Sequence, residues 1–76
     1  MDITELMEWL AQQGITTVLK VDGERVAERR AAWMVIASGG PLAGDAVRVD
    51  ARTVDGCLDV LLARLEARGL SPFAAP

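Results

Sequence analysis

Cys57 is the only thiol in this chain of 76 residues, and there is no histidine. A catalytic cysteine acts as a thiolate beside a base, and the commonest base is missing. Cys57 also sits on an apolar stripe, in the early turns of a helix-like segment. It reads as a small core residue, because free cysteine is among the most buried residue types. One cysteine cannot make a disulfide within a chain, and one cysteine with carboxylates makes a poor zinc site. Asp45, Asp50, Asp55 and Asp59 do not follow the ligand spacing of an EF-hand, and capping and solvation account for them. Residues 38–44, Ser-Gly-Gly-Pro-Leu-Ala-Gly, lack the Gly-Lys-Ser/Thr end of a phosphate loop. They lead toward a strand rather than a helix, so they read as a turn. No catalytic group, cofactor or metal is expected, and the chain is taken as non-enzymatic.

What remains is chemistry of recognition. Arg25, Arg29 and Arg30 cluster in one short segment, with Glu24 and Glu28 among them. Such alternation ordinarily describes a solvated face with internal pairing. Trp9, Trp33, Met34 and Ile36 are the large apolar residues best suited to an interface, where Trp and Met are enriched. These seven residues are the candidates for partner binding.

The elements that position them follow from periodicity. Residues 31–38, Ala-Ala-Trp-Met-Val-Ile-Ala-Ser, are apolar at nearly every position and predict a central strand whose two faces both want burial. Asp2 with Glu5 forms a capping-box start to a helix over residues 3–13, striped by Ile3, Leu6, Met7 and Leu10 and ended by Gly14. Residues 15–21 alternate as a β-branched strand. Asp22-Gly23 is a strong turn dipeptide, so residues 22–30 are expected to form a hairpin connection rather than the alternative short helix over 24–32. Val47 and Val49 point inward, and Arg48 and Asp50 outward, on a third strand whose charges suit an edge. Thr53 caps a second helix with apolar positions 54, 57, 58, 61, 62 and 65, and Gly69-Leu70 closes it.

The predicted fold is α+β: a small two-layer sandwich in the order α-β-β-β-α. Its three-stranded antiparallel sheet carries two helices on one face. Residues 1–70 form the single domain and residues 71–76 a flexible tail. The element order resembles that of the double-stranded RNA-binding domain. In that family the loop after the first strand and the start of the last helix carry basic contacts. Arg25, Arg29, Arg30 and Arg52 fall in corresponding places, but Thr53-Val54-Asp55-Gly56 stands where the family carries lysines, and the first helix is acidic. The likeness is one of element order.

A net charge of −3 and an isoelectric point near 4.7 disfavour sequence-independent binding to nucleic acid, which draws on a basic field. The balance of 51% apolar and 25% charged residues is that of a globular domain. No apolar run reaches bilayer length, and the acidic opening lacks the basic start of a signal peptide. The expectation is a cytoplasmic protein, and the abundance of Ala, Arg, Gly, Val and Asp over Lys, Asn and Ile fits a GC-rich bacterial or phage genome. A core this small benefits from reinforcement. The expected function is therefore a protein–protein interaction module, homodimeric, of the small regulator or inhibitor type, such as an immunity, antitoxin or anti-defence factor. An acidic surface suits such roles by offering carboxylates where phosphates would bind. The alternative is a nucleic-acid-binding module that uses the arginine-bearing 22–30 segment.

Overall fold

The computed structural model describes residues 1–73. Helix α1 (Ile3–Gln12) starts where Asp2 Oδ1 accepts the Glu5 amide at 2.8 Å, satisfying one of the orphan donors of the first turn. Its stripe buries Leu6 and Leu10 completely, with Ile3 and Trp9 half-buried beside them. At its end Gly14 and Ile15 donate back to the carbonyls of Ala11 and Leu10. Gly14 adopts φ +80° to do so, the left-handed closure that glycine makes without a Cβ penalty.

Strand β1 (Thr16–Val21) pairs with β2 (Trp33–Ser38), and β2 with β3 (Val47–Ala51), all antiparallel, so β2 is central. Register places Leu19, Val35 and Val49 in one row and Val18, Ile36 and Arg48 in the next. Side chains alternate between faces. Val35, Ala37, Val47 and Val49 therefore share the face against which α1 and α3 (Val54–Glu66) pack. Thr53 Oγ1 caps α3 by accepting the Gly56 amide at 2.9 Å. Cys57, Leu58, Leu61 and Leu65 then complete the core. Leu70 and Gly69 close the helix by donating to Leu65 and Glu66. This is the predicted α-β-β-β-α sandwich with both long helices on one face.

The connection between β1 and β2 differs from the expected hairpin loop. Its centre is a short helix α2 (Gly23–Ala27), capped by Asp22 Oδ1, which accepts the amides of Glu24 (3.0 Å) and Arg25 (3.4 Å). Asp22-Gly23 thus opens a helix instead of making a two-residue turn. Asp serves both purposes because its carboxylate captures nearby amides in either setting. The helix is shorter than the alternative over 24–32.

A second unpredicted piece is the 3₁₀ turn Gly40–Leu42, which drops Leu42 into the core. The Gly40 backbone passes tightly over the end of α1. An added Cβ there would lie 2.8 Å from the Gln13 carbonyl oxygen. The tail expected over 71–76 is described as far as Phe73, which is 63% exposed; its last three residues lie outside the described residues.

Candidate functional site

The seven sequence candidates do not form one surface. Trp33 shares the helix-packed face with Val35 and lies half-buried against the core, as does Trp9 on α1. Met34 points to the other face yet is only 6% exposed. In register it lies between Lys20 and Asp50. Helix α2 folds across this end of the sheet, and Arg25 Nη1 reaches Asp50 Oδ1 at 3.3 Å while its Nε stands 3.7 Å from Asp22 Oδ2. Arg48 Nε completes the chain at 3.2 Å from Asp50 Oδ2. The second face is thus roofed at one end by a line of charges, Asp22–Arg25–Asp50–Arg48. Hydrogen bonds and charge from Arg48, then from Arg25, hold the Asp50 carboxyl below the ordinary carboxylate range. Ile36, half-buried, and Val18, 53% exposed, form the apolar remainder of that face.

Cys57 is fully buried, and desolvation, followed by the charge of Asp50, raises its pKa. It is placed as core, away from any site. Among the described residues no three His, Cys, Asp or Glu side chains gather as a metal site. No helix is long and apolar enough to cross a membrane.

Arg29 and Arg30 join Arg52 around a shallow cleft of about 210 Å³ floored by Val26 and Ala32. Arg30 pairs with Glu28 at 3.0 Å. Arg29 has φ +57°. Its amide returns to the Val26 carbonyl and that of Arg30 to Arg25. Arg29 therefore occupies the left-handed helix-ending position that Gly14 and Gly69 fill after the two long helices. An arginine there costs roughly 1–2 kcal/mol relative to glycine.

The sheet's edges are the feature that the candidate residues missed, and they are treated differently. The Asp22 amide donates to the Ala32 carbonyl at 2.9 Å. Hydrogen-bonded pairs recur every second residue, so Lys20, Val18 and Thr16 exchange ladder bonds with Met34, Ile36 and Ser38. The backbone N–H and C=O groups of Thr17, Leu19 and Val21 therefore point outward. No turn, loop, cap or side-chain hydrogen bond among the described residues ends on them. On β3 the outward carbonyl of Arg48 is taken by Arg64 Nη1 at 2.6 Å, and the strand carries Arg48 and Asp50. Such charges and cover are how natural sheets blunt an edge. Strand β1 has neither proline nor bulge, one lysine, and two valines, Val18 and Val21, about half exposed. The alternation of Thr, Val and Leu at 16–21 was visible in the sequence; which side of the strand stays open was not, because it depends on pairing.

No protein-family model, no curated protein and no solved structure matches this chain.

Proposed function

We propose that this chain is a non-enzymatic protein–protein interaction module of the small regulator or inhibitor type. It engages its partner by accepting a strand along β1. The observation that carries this is the contrast between the edges: β3 is blunted by Arg64 and its own charges, whereas β1 leaves its outward amides and carbonyls unpaired among the described residues. Main-chain bonds supply affinity in strand addition, and flanking side chains supply selection. Val18 and Ile36 give the docking strand an apolar neighbour on the second face.

Two proline substitutions test the surface. Val21→Pro removes an outward N–H, so the isolated fold keeps its circular dichroism spectrum while partner binding is lost. Val18→Pro removes a ladder N–H and destabilises the fold itself, by about 1–3 kcal/mol or more. If both variants unfold equally, the assignment of inward and outward groups fails. If Val21→Pro folds and still binds a partner undiminished, β1 is not the binding edge.

A second reading, nucleic-acid binding, is favoured by one observation, the strained Arg29 beside Arg30 and Arg52. Three phosphate contacts predict a salt slope near −2.7 for duplex DNA, from about −0.9 per contact. Binding indifferent to salt, or none at low salt, rejects it.

A further inference from the structure

The partner strand that best fits β1 is β1 of a second copy. We propose that two chains pair antiparallel through this edge about a two-fold axis at Leu19, placing Leu19 opposite Leu19, Thr17 opposite Val21, and Val18 opposite Lys20 across the interface. This pairing presupposes the strand-addition function proposed above and names its occupant.

Outward groups must meet outward groups, so Thr17, Leu19 and Val21 of one chain face the same three of the other. Of the symmetric registers, three place at least two of these residues of each chain in bonded pairs, those centred on Val18, Leu19 and Lys20. Centring on Lys20 sets two lysines opposite one another, where like charges destabilise a ladder. Centring on Val18 makes bonded pairs of Thr17 with Leu19 and requires Ile15 opposite Val21. The Ile15 amide is already committed to the Leu10 carbonyl at 3.0 Å. Centring on Leu19 uses all three outward residues of each chain and sets no like charges in opposition. It also lays the aliphatic stem of Lys20 over the half-exposed Val18 of the other chain.

Pairing strands in this manner puts the two-fold perpendicular to the sheet. Both helical layers then fall on the same side, and the assembly is a six-stranded sheet in the order β3-β2-β1-β1-β2-β3. Its outer strands are the β3 edges that Arg64 blunts. Growth therefore stops at two chains, as a closed isologous interface requires. The net charge of −3 on each chain is unfavourable to association, so screening by salt strengthens the dimer.

The test is mass by light scattering over a concentration series, combined with cysteine pairing in a Cys57→Ala background. In the Leu19 register, residues 18 and 20 of opposite chains form a non-hydrogen-bonded pair with Cα atoms about 4.5 Å apart, within disulfide range. Residue 18 lies about 8 Å from residue 18 of the other chain, beyond that range. The double variant Val18→Cys with Lys20→Cys should crosslink under mild oxidation, and neither single variant should. The intact chain should show twice the monomer mass of 8.1 kDa, and Val21→Pro should weaken the dimer about tenfold or more, since it deletes one main-chain bond per chain. Crosslinking of Val18→Cys alone, or of Lys20→Cys alone, overturns the register. A monomer at every concentration overturns self-pairing. In that case a synthetic peptide carrying residues 16–21 separates the two failures. Protection of the Thr17, Leu19 and Val21 amides by the peptide shows that the edge accepts a strand and that only the pairing of whole chains fails; no protection overturns strand addition by this sequence as well.

Discussion

Gly40→Ala is the substitution whose cost the structure specifies most closely. Gly40 has φ +53°, and the new Cβ would sit 2.8 Å from the Gln13 oxygen and 3.0 Å from the carbonyl carbon and oxygen of Gly14. All three are backbone atoms at the closure of α1, so no side chain can swing aside. The left-handed conformation costs about 1–2 kcal/mol for a residue with a Cβ. The overlap adds roughly 1–3 kcal/mol, the range for forcing atoms into a packed site. Gly69→Ala is the internal control, because Gly69 has φ +78° but nothing near its missing Cβ. It suffers the conformational term alone. At roughly 0.05–0.15 kcal/mol per residue, a domain of this length holds about 4–11 kcal/mol in total. Gly40→Ala should then remove a large fraction of the unfolding free energy and Gly69→Ala about 1–2 kcal/mol, both read as lowered urea midpoints at similar m-values. The half-buried Trp9 and Trp33 report the transition by fluorescence. Equal destabilisation by the two variants would refute the close approach of the loop to α1.

Arg29→Gly should stabilise the fold by about 1 kcal/mol and raise the melting temperature by roughly 4–8 °C, since glycine fits the closing position of α2 without strain; no gain would mean that Arg29 is held by contacts that offset its backbone. The Asp50 carboxyl titrates below its ordinary range in the fold, so the folded state holds fewer protons than the unfolded chain in that window. Its stabilisation is present above the ordinary carboxylate range and is lost as pH falls through the depressed value. Asp50→Asn should flatten the acid side of the stability profile measured by thermal melts, and an unchanged profile would reject the Arg48–Asp50–Arg25 line. The Cys57 thiol, buried and with its pKa raised, should react with a thiol reagent far more slowly than a free cysteine at pH 8 and accelerate in urea; rapid labelling of the native protein would contradict its burial.

Much of the architecture was legible in local chemistry. Asp2 and Thr53 behave as the caps their side chains predict, Gly14 and Gly69 end helices as expected, and Val47 and Val49 alternate with Arg48 and Asp50 as an edge strand must. Two things were not legible. Asp22-Gly23 satisfies a turn and a helix start equally well, and the choice depended on whether the Asp22 carboxylate captures the amides of Glu24 and Arg25. The spacing of Glu24 with Glu28 and of Arg25 with Arg29 fits a helix face, but like charges four apart disfavour a helix by a few tenths of a kcal/mol each. The second illegible feature was the fate of Met34. Alternation correctly sends it to the face opposite Val35, but alternation is silent about a connection folding back over that face.

That folding back changes where a partner has to be sought. A fully apolar central strand in a three-stranded sheet poses a burial problem, and the direct solution is a second molecule on the uncovered face. Here the Asp22–Arg25–Asp50–Arg48 line crosses one end of that face within the chain, where Met34 is 6% exposed and its neighbour Ile36 half-buried. With that end of the face covered, what stays open beside Val18 and Ile36 is not apolar area alone. It includes the row of unpaired main-chain groups on β1, which water satisfies in the free chain and a strand satisfies in a complex. Net gain per such bond is small, about 0.5–1.5 kcal/mol, so affinity must come from several bonds in register together with burial of Val18 and Val21. A symmetric pair centred on Leu19 supplies both at once, because each chain contributes the same donors, acceptors and valines. A surface that works this way is selective by register rather than by any single side chain. Interrupting one outward amide at Val21 should therefore do more harm to binding than removing Arg29 or Arg30 from the cleft.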